Sequence, residues 1–353
     1  MKLNEIFTFE NLYNAHKTCR KSKQHKGEVI RFEINLSTTI NELVKDLQSK
    51  NYKIGKYKEF MIYDPKERLI EALPYKDRVV LMCFCMQSIA PRIEKSLIMD
   101  NVACRKNKGT HFGVKRLAQF LRHEYLTKRD NNIYYLKCDI KKYFPSINHD
   151  ILIDQLKKRG FSKDEMWLIR KFVKDQPNST TVGIPLGNQS SQWFALLYLS
   201  SLDRLIKEKL KIRGYVRYMD DMILIHRDKK YLQKCRIEIE KYCNRELKLS
   251  LNKKTQIGKV SDGIDFLGFR HSLSSSGKVI LKLRTTARIR MKRHLKTLSK
   301  LESKKIVDSE YVNIRKNAFY AHIKDTNEAY PLKMKLLSSR NITCEDVNKS
   351  DKL

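Results

Sequence analysis

Gly214-Tyr-Val-Arg-Tyr-Met-Asp-Asp-Met-Ile-Leu-Ile225 decides how the chain is read. Two adjacent carboxylates, Asp220 and Asp221, interrupt two short runs dominated by β-branched and aromatic residues. Such runs favour strands, and neighbouring aspartates suit the bend between them. The expectation is a hairpin with acids at its tip, fixed by a buried body. Carboxylates held this close repel each other unless a cation lies between them, so a bound divalent ion is the economical explanation. For an isolated Asp-Asp pair the alternative is an ordinary surface turn, and companions elsewhere in the chain decide between the two.

The first companion lies upstream. Ile133-Tyr-Tyr-Leu-Lys-Cys-Asp139 reads as a strand ending at Asp139. If the two strands are neighbours in one sheet, Asp139, Asp220 and Asp221 converge on one edge. Hard oxygen ligands of this kind suit Mg²⁺ or Mn²⁺ and not zinc. Two such ions about 4 Å apart activate an attacking hydroxyl and neutralise a departing phosphate.

Charge names the class of partner. Lys and Arg total 73 against 39 Asp and Glu among 353 residues, a formal net charge of +34. The excess runs through the whole chain, so a polyanion is the natural partner, nucleic acid before membrane. Structural RNA binding explains the charge equally well, so charge alone does not say enzyme. An apolar content of 41% fits a folded protein of two or three lobes. No apolar stretch approaches the ~20 residues of a membrane span, and the first residues lack the apolar core of a secretory signal. The eight cysteines form no CxxC knuckle with partner ligands. Cys83 and Cys85 read as small core residues, and a reducing cytoplasm is expected.

Coarse periodicity places the remaining elements. Residues 1 to about 50 read as mostly helical, with Phe9, Leu12 and Tyr13 on one face and Ile40, Leu43, Val44 and Leu47 on another. The basic stretch from His16 to Gly27 between them reads as irregular. Tyr57 to Val80 reads as strand, Asp64-Pro65 turn, strand, then a helix entered near Pro74, followed by a buried helical run from Val79 to Ile89. A glycine-punctuated basic loop at 101–111 leads into a helix and could clamp a phosphate backbone. Helices are expected at 149–159 and over Asp164 to Val173, and one long helix after the Gly183-Ile-Pro-Leu-Gly187 loop. Ser190, Ser191 and Ala195 would allow close approach at its start. A further helix spans about 229–247, and a small ribbon with a polar turn covers 264–283. From Thr285 to about Leu301 a basic helix turns Ile289, Leu295, Leu298 and Leu301 to a core. The rest, 303–353, reads as further helices and a ragged tail.

Surrounded by basic residues, three metal-binding acids indicate phosphoryl transfer on a nucleic acid. A nuclease needs only the metals and water. A polymerase also needs cations for a triphosphate, a surface for the incoming sugar and a groove for the product duplex. The chain offers Arg68 and Arg78, Phe144 five residues after Asp139, the 183–192 loop and helix, and the basic C-terminal helix. An aromatic beside the sugar would exclude a 2′-hydroxyl and favour deoxynucleotides.

In order, Tyr135-Leu136-Lys137-Cys138-Asp139 with the following Ile-Lys-Lys-Tyr-Phe, Gly183-Ile-Pro-Leu-Gly187, Tyr218-Met-Asp-Asp221, Asn252-Lys-Lys-Thr255 and Phe266-Leu-Gly-Phe269 resemble the motifs of reverse transcriptases, over about Arg68 to Phe269. The resemblance implies an α+β, right-hand polymerase fold. Its parts would be an N-terminal extension with fingers (1–132), a palm with an antiparallel sheet (133–275, with 150–181 returning to the fingers) and a short helical thumb (284–353). Asp139, Asp220 and Asp221 resemble the catalytic acids holding two Mg²⁺ ions (Mn²⁺ substituting), with the Ile140 carbonyl as an extra ligand. Phe144 resembles the steric gate, and Arg68 and Arg78 the finger cations that grip the triphosphate. Leu186, Gly187 and Gln192 resemble the loop-helix at the nucleotide. Lys254 resembles the palm lysine, with Lys253 its rival, and Gly268 the primer-grip turn.

Leu186-Gly-Asn-Gln-Ser-Ser-Gln192, with a hydrophobic residue before the glycine, is similar to diversity-generating retroelement enzymes, as are Ala72–Val80 and Cys104–His111. That resemblance implies a bacterial or phage-encoded cytoplasmic enzyme copying a template-repeat RNA into cDNA with errors opposite adenine. It also implies dNTPs, a primer strand and a small basic pentameric accessory variability protein as partners. The alternative is another bacterial stand-alone reverse transcriptase of phage-defence or retron type. A non-catalytic RNA-binding scaffold on the same fold is the rival outside enzymes.

Overall fold

The computed structural model describes residues 1–63, 67–174, 181–324 and 326–327. Helices and antiparallel strands are mixed, an α+β architecture. The strands are β1 (Lys58–Ile62), β2 (Arg68–Ala72), β3 (Tyr134–Cys138), β4 (Gly214–Tyr218), β5 (Asp221–His226), β6 (Gln256–Lys259), β7 (Ile264–Phe266), β8 (Phe269–Leu273) and β9 (Val279–Leu283). β1 and β2 form a hairpin, β4-β5-β3-β6 a four-stranded sheet in that order, and β7-β8-β9 a three-stranded one. The expected Asp64-Pro65 turn lies outside the described residues. The chain divides into two compact units. One comprises Met1–Gly113, Leu136–Leu224 and Lys230–Gln256, and the other Val114–Tyr135, Ile225–Lys229 and the chain from Ile257.

In the first unit, apolar spacing selects the helical faces. On Phe9–Cys19 the buried positions are Leu12, Ala15 and His16, while Phe9 and Tyr13 are exposed, so the inward stripe is turned from the one expected. That helix runs through His16–Cys19, which the basic composition suggested would be irregular. Thr8 caps it, its Oγ1 accepting from the Asn11 N–H at 3.1 Å. On Leu36–Gln48 the core positions are Ile40, Leu43 and Leu47, as the spacing indicates.

Pro74 opens the helix Tyr75–Phe84, which passes into a π-turn over Cys85–Ile89. Asp77 is buried in its first turn and accepts from Tyr52 Oη at 2.5 Å and the Gly55 N–H at 3.0 Å, tying the segment before β1 to the helix start. Asn148 caps His149–Lys157 through its Oδ1, which accepts from the N–H groups of Asp150 and Ile151 at 3.1 Å. The single long helix expected after Gly187 is instead three pieces, Gln189–Tyr198, Ser200–Arg204 and a π-turn over Leu205–Lys209. The break falls at Leu199, whose backbone (φ −90°, ψ 4°) has left helical geometry.

In the second unit, β7 and β8 are joined by Leu267 and Gly268, both with positive φ (50° and 88°). This two-residue turn matches strand twist. Phe269, Leu281 and Leu283 pack with Val114, Met291 and Ile323. The helix Thr285–Ser303 turns Ala287, Met291 and Leu295 toward that core and buries Leu298 as well, whereas Ile289 is 44% exposed. Residues 287, 291, 295 and 298 form one stripe at steps of four, four and three. Position 289 sits roughly 200° round the helix from 287, on the basic face, so the expectation for Ile289 is corrected. Another helix, Ser309–Ile323, is capped by Asp308, whose Oδ1 accepts from the Tyr311 N–H at 2.6 Å. The expected tail, 328–353, lies outside the described residues.

Candidate active site

β4 and β5 are linked by Met219 and Asp220 alone, so the tip is tighter than an Asp-Asp bend. Met219 takes the left-handed conformation (φ 54°), Asp220 follows in the turn, and Asp221 already opens β5. A left-handed non-glycine residue costs about 1–2 kcal/mol and needs external support. Arg217 provides it, because Nη1 donates to the Met219 carbonyl at 2.9 Å. The guanidinium is fully buried and paired with buried Asp203, through Nε to Oδ1 at 2.7 Å and Nη2 to Oδ2 at 2.6 Å. Tyr215 Oη also donates to Asp203 Oδ1 at 2.7 Å, and Arg217 Nη2 donates to the Leu196 carbonyl at 3.1 Å. Every charge in the network has a partner, as burial demands.

Asp139 follows β3 directly, on a segment zipped to 250–252. Its carbonyl accepts from the Asn252 N–H at 2.7 Å, Ser250's carbonyl accepts from the Lys141 N–H at 2.9 Å, and Ile140 bridges Leu251. Asp139, Ile140 and Asp220 line a common cleft of about 800 Å³ with Arg68, Leu186 and Asn252. Burial pushes the Asp220 carboxyl up to about 6; the Asp139 and Asp221 carboxylates add to the rise, while its own backbone N–H and Arg217 oppose it. Asp221 is oriented differently: Lys137 Nζ lies 3.3 Å from its carboxylate.

The other expected residues divide between the cleft and elsewhere. Arg68 opens β2 on the cleft wall. Arg78 is ion-paired to Glu28 and lies 5.3 Å from the Tyr75 ring centroid, away from the cleft lining. Phe144 is half-buried and edge-on to Tyr143 at 5.7 Å, and its neighbours Tyr143 and Pro145 form the wall. Leu186 lines the cleft, and its carbonyl accepts from the Glu71 N–H at 3.2 Å. Gly187 has φ 126°, and a Cβ there would stand 3.2 Å from the Glu71 carbonyl oxygen, so both backbone angle and space require glycine. Gln192 is half-buried on the helix Gln189–Tyr198, outside the lining. Lys254 is exposed, its N–H donating to Asn252 Oδ1 at 3.1 Å, and it is Asn252 that reaches the cleft. Gly268 belongs to the second unit.

Sequence reasoning missed Lys137, Glu71 and Asn252. Lys137 had a signal, since positions 137 and 139 share a strand face and β5 is the neighbouring strand. Among the described residues no three Asp, Glu, His or Cys side chains stand together as a ready metal cage. The donor set still fits a hard cation. Asp139 and Asp220 present only oxygen to the cleft, and the strained ionisation of Asp220 is what a cation would relieve. Asp221, ion-paired to Lys137, stands outside the cleft lining.

Residues 65–271 match the reverse transcriptase (RNA-dependent DNA polymerase) family. The chain belongs to the reverse transcriptase family. Among curated proteins, the COX1/OXI3 intron 2 protein of Saccharomyces cerevisiae is 23% identical over 220 residues, 56% of this chain and 23% of that protein. Among solved structures, apo telomerase from Candida tropicalis, truncated from its C-terminal domain, superposes with a TM-score of 0.50 at 14% identity, covering 69% of this chain and 60% of that one. Candida albicans telomerase, in complex with a fragment of telomeric RNA, gives 0.51 at 13%, covering 84% and 56%. These likenesses establish the right-hand polymerase fold for this reverse transcriptase family member. The chain thus spans under a quarter of the curated relative and about three fifths of the structural ones. Among the described residues no helix is long and apolar enough to cross a membrane.

Proposed function

We propose that the chain is an RNA-directed DNA polymerase of the diversity-generating retroelement class. It copies a template-repeat RNA into cDNA with errors concentrated opposite adenine, and works with a small basic pentameric accessory protein. The observation that carries the polymerase reading is the common cleft of Asp139, Asp220, Arg68 and Leu186. Asp139 and Asp220, with Glu67 and Glu71, the cations Arg68 and Lys142 and the apolar Leu186 then face one volume large enough for a nucleotide.

Asp139 and Asp220 would hold divalent cations, Mg²⁺ or Mn²⁺, with the Ile140 carbonyl assisting and Asp221 as the third acid. When bound, these ions supply Lewis-acid activation of a primer hydroxyl and charge neutralisation at the departing pyrophosphate. Arg68 adds positive charge for the triphosphate from β2. Arg217 keeps the Met219 carbonyl, and with it the Asp220 backbone, in one place throughout. Leu186 supplies contact area at the nucleotide and no hydrogen bond, which relaxes checking of the nascent pair. Fingers at 1–132, a palm at 133–275 and a thumb from 284 are the proposed division of labour, the basic thumb helix tracking backbone phosphates.

The test is extension of a primed RNA by the full chain with dNTPs and Mg²⁺ or Mn²⁺, followed by cDNA sequencing. Substitutions clustered at template adenines support the proposal. Evenly scattered errors would move the chain to another stand-alone reverse transcriptase class. Tight RNA binding with no extension would make it a non-catalytic scaffold.

A further inference from the structure

A second cavity, of about 720 Å³, lies in the first unit outside the catalytic cleft, between the helices His149–Lys157 and Lys163–Lys174. Its apolar lining is Phe161, Met166 and Trp167. Its rim carries Lys157, Lys163, Arg170 and Lys171, and no carboxylate lines it among the described residues. The aromatic floor is held firmly. The Arg92 guanidinium lies 4.7 Å from the Phe161 ring centroid, and the same Arg92 donates to buried Glu165 at 2.7 Å. Glu165 also accepts from Ser88 Oγ at 2.7 Å and the Ser162 N–H at 2.8 Å. Trp167 is half-buried, with Lys171 Nζ 5.4 Å from its ring centroid, and its indole lines the cavity.

We infer that this groove binds a single-stranded segment of RNA, a base stacking on Trp167 and flanking phosphates meeting the rim cations. Flat aromatic surface beside Lys157, Lys163 and Arg170, in a groove that no carboxylate lines among the described residues, is the chemistry of sequence-tolerant strand binding, because every base has a π-face and every linkage a phosphate. An apolar or basic protein partner would bring no negative charge to these cations. The choice of RNA over DNA rests on the proposed template-copying function; the choice of a strand rests on the groove.

Trp167 is its own reporter, since the other tryptophan, Trp193, is buried. The full chain is titrated with a 12-nucleotide oligo(U) while tryptophan fluorescence is followed. Saturable quenching is expected, absent in Trp167→Phe. In Lys163→Gln/Arg170→Gln the affinity should fall about tenfold, with a salt slope reduced by about 0.7 per cation removed. Both variants should extend a short preformed primer–template at the wild-type rate, because no altered residue touches the catalytic cleft. Absence of quenching while extension proceeds overturns the groove and leaves the polymerase reading intact. Equal quenching by heparin, which has charge and no bases, overturns stacking. Quenching by oligo(dT) and not by oligo(U) overturns the choice of RNA.

Discussion

Arg217 and Asp203 are both fully buried and meet through two hydrogen bonds, of 2.7 and 2.6 Å, beneath the turn that carries Asp220. Removing one partner strands the other. Asp203→Leu should cost about 3–5 kcal/mol in urea unfolding. The double change Arg217→Met/Asp203→Leu should recover much of that stability, yet synthesis should stay low because the Met219 carbonyl has lost its donor. Recovery of both together would show that the pair serves folding alone.

Asp220 sits where function and stability disagree. Its folded pKa, about 6, lies above the ~3.9 of an unfolded aspartate, so stability is fully present below pH 4 and is lost as pH rises through 6. Asp220→Asn should therefore melt higher than the parent at pH 8, by on the order of 2 kcal/mol, and match it near pH 4. The same variant should lose synthesis and keep salt-sensitive RNA binding. A variant less stable than the parent at pH 8 would contradict the burial argument.

His271 works in the opposite direction. Burial pushes its imidazole down to about 4, so the fold holds it neutral while the unfolded chain protonates near 6.5. Its contribution to stability is whole above pH 6.5 and is lost as pH falls toward 4. His271→Phe should flatten this acid limb of the stability curve, which urea titrations at pH 4.5 and 7.5 would reveal.

Two glycines separate angle from space. Gly187→Ala meets both a φ of 126° and the Glu71 carbonyl oxygen at 3.2 Å, whereas Gly268→Ala meets a φ of 88° in open space. The first should destabilise by about 2–3 kcal/mol and the second by about 1, as read from denaturant midpoints. Equal losses would remove the steric part of the argument.

Leu186→Gln restores a hydrogen-bonding side chain at the cleft. If geometric checking is what leucine relaxes, misincorporation opposite template adenine should fall several-fold in sequenced cDNA. An unchanged error spectrum would place the cause elsewhere.

Much of this was legible from residue order. β4, β5 and β3 follow from runs dominated by β-branched and aromatic residues, whereas the turn at Gly268 came only with the resemblance to reverse transcriptases. Pairings across long stretches of sequence were not. Lys137 reaches Asp221 across 84 positions and Arg78 reaches Glu28 across 50, and nothing local to Asp221 or Arg78 announces its partner. On Thr285–Ser303 the expectation held for Leu295 and Leu298 and failed at Ile289, for a different reason. Methionine and alanine are weaker apolar markers than isoleucine, so Ile289 outweighed Ala287 and Met291 on paper although the β7-β8-β9 sheet receives the latter two.

The tie between Glu71 and Leu186 joins amide to carbonyl, and neither side chain takes part in it. Mutational drift at either position can therefore recast the lining of the cleft without loosening the joint, proline at 71 excepted. Under the proposed function the wall of the cleft is a mount with an interchangeable face, on which accuracy of copying would be free to evolve while the frame stays put.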